Sequence, residues 1–232
     1  TKAVNDRKDG VVKQLVGGVE YLLSKRKVEV IRGEASFTGA KSLRIALTDG
    51  TSKGISADNI IIAAGSESSK IPIPGIDGKN VITSTEALDF DNLPKELVII
   101  GGGVIGLELA SSARSKDCQV TVIEMGSMVM GRSSPRILSE FLLAQQRLAG
   151  VDVRLSTQIS NCQLEGEEVV ITLEGGEELR ADAVIYGIGI IPNAQLATDA
   201  GLEVNFAIQV NENCQTSHPD IYAAGDVATQ LR

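Results

Sequence analysis

The sequence predicts an α/β protein built on a doubly wound parallel sheet. Three observations support this class: short aliphatic runs alternate with helix-like segments, a glycine-rich turn joins one such pair, and aromatic residues make up only 3% of the chain. Strand–helix–strand alternation is typical of right-handed βαβ units. A chain of 232 residues is long enough for one large domain or two small ones.

The spacing of apolar residues places the elements along the chain. Apolar residues recur at helical spacing over residues 8–25, 104–115 and 136–149, which predicts three helices. Apolar runs predict buried strands in NIIIAAGS, LVIIGGG, ADAVIYGIG and PDIYAAGD, and CQVTVIEM and VDVRL are predicted to be further strands. Alternation predicts strands in VEVIRGEASFTG and SLRIALTDGT and a hairpin in EEVVITLEGGEEL, whereas KIPIPGIDGKN is typical of a linker.

Charge and hydropathy exclude two classes of partner. The net charge is −8, and a general nucleic-acid binder needs clustered Lys and Arg to contact phosphates. The apolar runs are all shorter than the roughly 18 to 20 residues that a membrane-spanning helix needs. We therefore expect neither nucleic acid nor a membrane among the partners.

The cysteines indicate a reducing compartment. Cys118, Cys162 and Cys214 are far apart and odd in number, and they form neither a C-x-x-C pair nor a metal-type spacing. We expect three structural thiols and no metal site. The expected location is the cytoplasm, or the mitochondrial matrix if a leader has been removed.

A glycine motif opens the middle helix. Gly101, Gly103 and Gly106 form G-x-G-x-x-G between a predicted strand and a predicted helix, and the next strand ends at Glu124. In a dinucleotide-binding unit the first glycine permits a sharp turn, the second lets a diphosphate approach the backbone, and the third lets the helix pack closely on its strand. The N–H groups at the helix N-terminus then face the phosphates.

Glu124 predicts the choice of dinucleotide. A carboxylate at this position accepts hydrogen bonds from a ribose diol and repels a 2′-phosphate, and the nearest downstream cation, Arg132, lies too far along the chain to compensate. The motif therefore predicts NAD(H) rather than NADP(H). The alternative is an ordinary glycine turn in an α/β domain, with Glu124 at a solvated strand end.

At this point the residues resemble the pyridine nucleotide–disulphide oxidoreductase superfamily, whose members pass hydride between NAD(P)H and FAD. NIIIAAGS is similar to its A-T-G segment, GGGVIGLELAS to its NAD motif and TSHPDIYAAGD to its second flavin motif. The resemblance implies an NAD-binding domain at residues 76–188, flanked by two pieces of an FAD-binding domain at 1–75 and 189–232.

The resemblance also implies the residues that hold the cofactors. For NAD(H) they are Gly101, Gly102, Gly103, Val104, Ile105, Gly106, Glu124, Met125 and Gly189. For FAD they are Ala64, Gly65, Gly225 and Asp226, of which Asp226 hydrogen-bonds the ribityl chain. Glu108 matches a catalytic glutamate near the nicotinamide, although a solvated carboxylate in a helix's first turns is an equally good explanation. His218, the only histidine, is expected to be a surface-loop residue.

Two branches of the superfamily compete for the electron acceptor. The segments around residues 7–37 and 81–108 resemble dihydrolipoamide dehydrogenase, which implies a lipoyl protein as partner. The segments FLLAQQRLAGVDVRLSTQI and YGIGIIPNAQLATDAGLEV are more similar to NADH-dependent ferredoxin reductases, which implies an iron–sulphur ferredoxin. The lipoamide enzymes typically carry G-R-x-P-N, whereas this chain has Ile190 in place of the arginine. Intact members of the family are usually homodimers.

Three parts of an intact member have no counterpart in this sequence. They are the first G-x-G-x-x-G unit for FAD, the redox-active C-x4-C pair of the lipoamide enzyme, and the C-terminal dimerisation domain with its His–Glu pair. The chain is therefore expected to be a fragment or a trimmed homologue. A third hypothesis follows, in which it is a non-catalytic NAD-binding module.

Overall fold

The computed structural model describes residues 2–90 and 92–230. Its helices are α1 (Lys2–Lys25), α2 (Ser84–Ala87), α3 (Val104–Arg114), α4 (Arg136–Leu148) and α5 (Gln195–Asp199). Its strands are β1 (Gly33–Gly39), β2 (Ser42–Leu47), β3 (Ser52–Ser56), β4 (Ile60–Ile62), β5 (Ser66–Ser68), β6 (Val81–Thr83), β7 (Glu96–Ile100), β8 (Gln119–Ile123), β9 (Asp152–Arg154), β10 (Ile159–Glu165), β11 (Glu168–Leu173), β12 (Glu178–Ala181), β13 (Ala183–Tyr186), β14 (Ile190–Pro192), β15 (Val204–Asn205), β16 (Ala207–Val210), β17 (Ile221–Ala223) and β18 (Ala228–Gln230).

The chain divides into two compact units. The first comprises Thr1–Val11 and Ser68–Gly189, and the second comprises Val12–Glu67 and Ile190–Arg232. The start of α1 belongs to the first unit because Lys8 forms an ion pair with Asp89 and Asn5 donates a hydrogen bond to the Phe90 carbonyl at 3.1 Å. The assignment of residues 1–75, 76–188 and 189–232 to different cofactors stays a prediction.

A five-stranded parallel sheet organises the first unit. Its strand order is β6-β13-β7-β8-β9, and each neighbouring pair is parallel. Strands β8 and β9 follow β7 on one side through α3 and α4, whereas β13 and β6 lie on the other side. The order of the strands therefore reverses at β7, and ligands of such sheets bind beyond the carboxyl ends of the strands at that point. The predicted α/β class with a Rossmann-like parallel sheet is confirmed.

The two faces of this sheet have different covers. Leu97 and Ile99 of β7 pack with α3, whereas the alternate residues Val98 and Ile100 pack with Ile171 of β11. The second face is therefore covered by the antiparallel sheet β10-β11-β12 and not by further helices. Burial on both faces explains why β7 and β13 are continuous apolar runs in the sequence.

The second unit consists of small sheets around one core. It contains the antiparallel sheet β1-β2-β3, the sheet β15-β16-β18 and the parallel pair β4-β17. Their buried side chains include Ile62, Ile208 and Ile221, which lie in one hydrophobic cluster with Ala197 of α5. An Asp-Gly turn joins β2 to β3, and there the Asp49 carboxylate accepts the Thr51 N–H at 2.9 Å.

The sequence-based prediction was wrong for the NIIIAAGS strand in two respects. The strand is only three residues long, and Ile61 at its centre is 69% exposed, although cover on both faces was predicted. Ile60 and Ile62 point to the core of the unit, and alternation along a strand places Ile61 on the opposite face. Strand β1 begins at Gly33, so residues 28–32 of the predicted strand lie outside it, and the polar strand β3 was missed.

Helix α1 is longer and more exposed than predicted. It begins at Lys2, six residues before the predicted start, and none of its described residues is buried. Its apolar side chains remain exposed, among them Leu15 at 65% and Leu22 at 54%. Within the described part of the chain, no helix has the length and apolarity that crossing a membrane requires.

Candidate functional site

The glycine turn follows β7 at the carboxyl edge of the parallel sheet. Gly101 has a φ of +110°, and its N–H donates to the Ile123 carbonyl at 2.8 Å. A Cβ at Gly101 would lie 2.5 Å from the Gly187 carbonyl oxygen, which follows β13. Only glycine combines this positive φ with so close an approach of two backbones. The turn therefore sits where the strand order reverses.

Gly106 and Gly103 have opposite surroundings. A Cβ at Gly106 would lie 1.9 Å from the Gly101 carbonyl oxygen, so α3 packs directly against the turn. A Cβ at Gly103 would meet no atom within 4 Å, and its φ of −80° suits any residue. The absence of a side chain at Gly103 thus keeps a space open, whereas at Gly106 it permits contact.

The N-terminus of α3 presents unpaired N–H groups to that space. The first backbone bond into the helix is donated by Leu107 to the Gly103 carbonyl at 3.0 Å. In the described residues, the N–H groups of Gly103, Val104, Ile105 and Gly106 donate no hydrogen bond. Val104 and Ile105 are themselves exposed. Such groups together with the helix dipole form an anion-binding site.

Glu124 joins two loops beside the turn. Its Oε2 accepts the Gly102 N–H at 2.7 Å and its Oε1 accepts the Gly126 N–H at 2.7 Å. A Cβ at Gly102 would lie 3.1 Å from Glu124 Oε2 and 3.2 Å from Val129 Cγ1. The carboxylate therefore fixes the second residue of the glycine motif, a role that sequence reasoning did not foresee.

The segment after Glu124 returns to the glycine turn. Met125 is 66% exposed, and Met130 donates its N–H to the Gly102 carbonyl at 2.8 Å. The segment from Met125 to Gly131 contains no Lys or Arg. The Nη1 of Arg132 lies 3.7 Å from the position of a Cβ at Gly189, so this guanidinium lies beside the loop that follows β13.

Glu108 lies on the exposed side of α3. It lines a shallow cleft of about 350 Å³ together with Ile105 of α3 and with Ser84 and Thr85 of α2. Within the described residues Glu108 forms no salt bridge. The structure thus places this carboxylate on the helix of the glycine motif but gives it no charged partner.

The second unit brings the predicted flavin residues together. Ala64 and Gly65 follow β4, and Gly225 and Asp226 follow β17, so both segments leave the same edge of a parallel pair. Ser66 Oγ donates to Asp226 Oδ2 at 3.1 Å. Asp226 Oδ1 accepts no hydrogen bond from the described residues.

Asn193 holds the same segment. Its Nδ2 donates to the Ala64 carbonyl and its backbone N–H donates to the Gly65 carbonyl, both at 3.0 Å. The sequence analysis did not single out Ser66 or Asn193. Asn193 follows the apolar segment GIGIIP as its first polar residue, and that was the available signal.

The other reactive side chains are three thiols and one imidazole. Cys118 and Cys162 are free and buried, and burial raises the pKa of each thiol to about 11. Cys214 is free and exposed. His218 is half-buried, and its Nδ1 accepts the Asp220 N–H at 3.2 Å within its own loop.

Comparison with known proteins agrees with this geometry. The sequence model of the family described as pyridine nucleotide-disulphide oxidoreductase matches residues 1–232. The HOCl-induced flavoprotein disulfide reductase RclA from Escherichia coli is 30% identical over 96% of this chain and 51% of its own, with a TM-score of 0.89. The ferredoxin reductase for the CYP199A2 system from Rhodopseudomonas palustris is 29% identical over 91% of this chain and 54% of its own, with a TM-score of 0.82.

A third solved structure has the same fold, and all three proteins are longer than this chain. The NAD-dependent persulfide reductase from A. fulgidus is 30% identical over 90% of this chain and 41% of its own, with a TM-score of 0.81. The chain thus spans about half the length of the solved proteins that it matches. The family match and these structures agree with the motifs, and the chain belongs to the pyridine nucleotide-disulphide oxidoreductase family.

Proposed function

We propose that the first unit binds NADH across the glycine turn. The observation that carries this proposal is the open space at Gly103, which faces the N–H groups at the start of α3. A diphosphate in that space would accept hydrogen bonds from these groups and be stabilised by the helix dipole. The ribose diol would then donate to the Glu124 carboxylate, whose oxygens each have a remaining lone pair.

The same carboxylate favours NADH over NADPH. Both of its oxygens are held by backbone N–H groups at 2.7 Å, so the charge is fixed beside the turn. The segment from Met125 to Gly131 has no cation to offset repulsion between Glu124 and a 2′-phosphate. Arg132 is the nearest cation along the chain, but its guanidinium lies beside Gly189.

The proposed activity is hydride transfer between NADH and FAD. FAD supplies the redox chemistry when bound, and the protein positions and polarises the reacting groups. In the second unit, Ala64, Gly65 and Gly225 would approach the flavin through their backbones. Asp226 would accept a hydrogen bond from the ribityl chain through Oδ1, while Ser66 holds Oδ2. Glu108 would stand near the nicotinamide.

We propose a dithiol or disulphide as the electron acceptor, of the dihydrolipoamide dehydrogenase type. The lipoamide-like segments of the sequence support it, and so does the likeness to a flavoprotein disulfide reductase. The second candidate is an iron–sulphur ferredoxin. Ile190 in place of arginine supports this candidate, and so does the likeness to the ferredoxin reductase. A putidaredoxin reductase, solved in complex with putidaredoxin, is also 34% identical over 82% of this chain.

Titration of the 232-residue chain with the two coenzymes tests the first step. We expect quenching of NADH fluorescence on binding, and an NADPH dissociation constant at least about tenfold higher, because the 2′-phosphate meets Glu124. Equal affinity for the two coenzymes would contradict the assigned role of Glu124. Absence of NADH binding would contradict the proposed site itself.

The acceptor is tested in the flavin-loaded protein that contains this chain. NADH-driven reduction of lipoamide would support the dithiol proposal, whereas reduction of a ferredoxin without reduction of lipoamide would favour the second candidate.

A third proposal is that the chain is a non-catalytic NAD-binding module, and flavin absorbance tests it. A purified chain that carries flavin near stoichiometry after gel filtration would rule the module out, and we expect the 232-residue chain to be colourless.

A further inference from the structure

Two of the three buried polar side chains in the described residues lie on one helix. They are Ser139 and Gln146 of α4, which are 1% and 8% exposed, and the third is Thr216 in the second unit. The two residues are seven positions apart, so both face the interior of the first unit. Burying a hydroxyl or an amide costs free energy unless its polar atoms form hydrogen bonds, so the partners of these two side chains matter.

Ser139 holds the segment that contacts the glycine turn. Its Oγ donates to the Val129 carbonyl at 2.6 Å, and Val129 is fully buried. The next residue, Met130, donates its N–H to the Gly102 carbonyl at 2.8 Å. The Val129 Cγ1 also fills the space beside Gly102, 3.2 Å from the position of a Cβ there. A single hydrogen bond from α4 thus fixes one wall of the turn.

Gln146 holds the helix on the other side of the turn. Its Nε2 donates to the Leu107 carbonyl at 3.2 Å and to Ser111 Oγ at 2.7 Å. Leu107 is the residue whose N–H forms the first bond of α3, to Gly103. The Gln146 Oε1 is buried and accepts no hydrogen bond from the described residues. Burying this oxygen without a partner costs free energy. The two hydrogen bonds that Nε2 donates to α3 are the stabilising contribution of the side chain.

We propose that Ser139 and Gln146 are positioning residues for the coenzyme diphosphate. Through them α4 holds both the loop segment and the helix between which the glycine turn lies. This inference rests on the proposed binding of NADH at the turn. The two residues act through Val129, Met130 and Leu107 and do not contact the coenzyme themselves.

Loss of the hydrogen bond from Ser139 should weaken NADH binding by an amount that depends on how often the turn keeps its binding shape. When only a fraction of the molecules holds the turn in its binding shape, the apparent dissociation constant rises by the reciprocal of that fraction. Replacing Ser139 by alanine leaves the buried Val129 carbonyl without a donor. We expect the fraction of molecules with the bonded shape of the loop to fall to about one tenth, so that NADH binds about tenfold more weakly.

The experiment compares Ser139→Ala with the wild-type chain by NADH titration and by amide hydrogen exchange. We expect the tenfold loss of NADH affinity together with loss of nearly all protection of the Met130 amide against exchange in the coenzyme-free protein, because the loop is then mostly open. Amides of the sheet β10-β11-β12 should exchange as in the wild type. The Ser139→Cys variant keeps a weak donor of similar size, so its NADH affinity should lie between the two, and it also serves if the alanine variant does not fold.

Thr216→Val is the matched control. It removes another buried hydroxyl bond, from Thr216 Oγ1 to the Ile221 carbonyl at 2.9 Å, in the second unit. This variant should lose stability and keep wild-type NADH affinity. The positioning role is overturned if Ser139→Ala binds NADH like the wild type, or if the two variants lose affinity in proportion to their loss of stability. If the wild-type chain does not bind NADH, the proposed function fails, and the Met130 exchange rate still tests the support of the loop.

Discussion

Single residues in the glycine turn have distinct physical tasks. Gly101 and Gly106 are glycine because a Cβ would overlap a backbone oxygen, whereas Gly103 has open space where a Cβ would stand. Gly102 lies against Glu124 and Val129 and donates to the Glu124 carboxylate. The fold therefore needs glycine at three positions, and the proposed diphosphate needs it at the fourth.

The variant Gly103→Val tests the fourth position. Its Cβ meets no protein atom within 4 Å, so the fold should be kept, with a loss of about 1 kcal/mol because valine is a poor N-cap residue. The side chain would occupy the space of the diphosphate, and NADH affinity should fall at least about 100-fold. Isothermal titration together with thermal unfolding measures both quantities. A variant that binds NADH normally would show that the space is not the diphosphate site.

Glu124→Gln tests the neighbouring carboxylate. A carboxamide has one oxygen, so it can no longer accept both the Gly102 and the Gly126 N–H groups, and it no longer repels a 2′-phosphate. NADH affinity should fall about tenfold, and the preference for NADH over NADPH should shrink by a similar factor. Glu178→Gln, which removes an exposed charge from β12, is the control and should change neither value. An unchanged preference in Glu124→Gln would contradict the account of specificity.

At the scale of elements, the position of the α3 N-terminus depends on close packing of this helix against β7. Three residues separate the end of β7 from the start of α3, and Gly106, the third glycine of the motif, packs against the turn. The dipole and the unpaired N–H groups of α3 can face a ligand only because β7 is fixed in the centre of the sheet between β13 and β8.

Gly106→Ala should therefore damage the pairing of α3 with β7. The added Cβ would lie 1.9 Å from the Gly101 oxygen, and separating the helix from the turn should cost about 2 kcal/mol or more of unfolding free energy. Gly17→Ala in α1 is the matched control, because its Cβ meets nothing within 4 Å and alanine favours a helix interior by about 0.5 to 1 kcal/mol. In denaturant unfolding we expect Gly106→Ala to lower the free energy of unfolding and Gly17→Ala to raise it. A Gly106→Ala variant with wild-type stability would contradict this prediction.

The sequence allowed the central elements to be predicted because their signals are local. The runs of β7, β8 and β13, the helices α3 and α4 and the Gly-Gly hairpin all agree with the structure. Elements whose identity depends on distant partners were missed, such as the polar strand β3 and the three-residue strand β6, which pairs with β13. The same limit applies to the site, since Asn193 donates to Ala64, 129 positions away, and Glu124 accepts from Gly102, 22 positions away.

At the scale of the whole molecule, buried thiols make the stability of the first unit depend on pH. Burial raises the pKa of Cys118 and of Cys162 from 9.0 to about 11. Between these values the unfolded chain loses the thiol proton while the folded chain keeps it. The free energy of unfolding therefore falls as pH rises from 9 to 11, by up to about 3 kcal/mol per thiol, and levels off above that.

Urea unfolding at a series of pH values tests this dependence. The double variant Cys118→Ala and Cys162→Ala should start from a lower stability, because it leaves small cavities, but lose less of it between pH 9 and 11. Cys214→Ala is the control, since that thiol is exposed, and it should follow the wild-type curve. Equal slopes for all three proteins would show that the thiols do not contribute to the pH dependence.

The central claim is that the bare turn after β7 holds the diphosphate of NADH, and a crystal structure of the chain grown with NADH tests it most directly. We expect diphosphate oxygens within hydrogen-bond distance of the N–H groups of Val104 and Ile105, and the adenosine ribose diol on the Glu124 carboxylate. A bound coenzyme located elsewhere, or a turn that stays empty at saturating NADH with Glu124 directed away from it, would contradict the account.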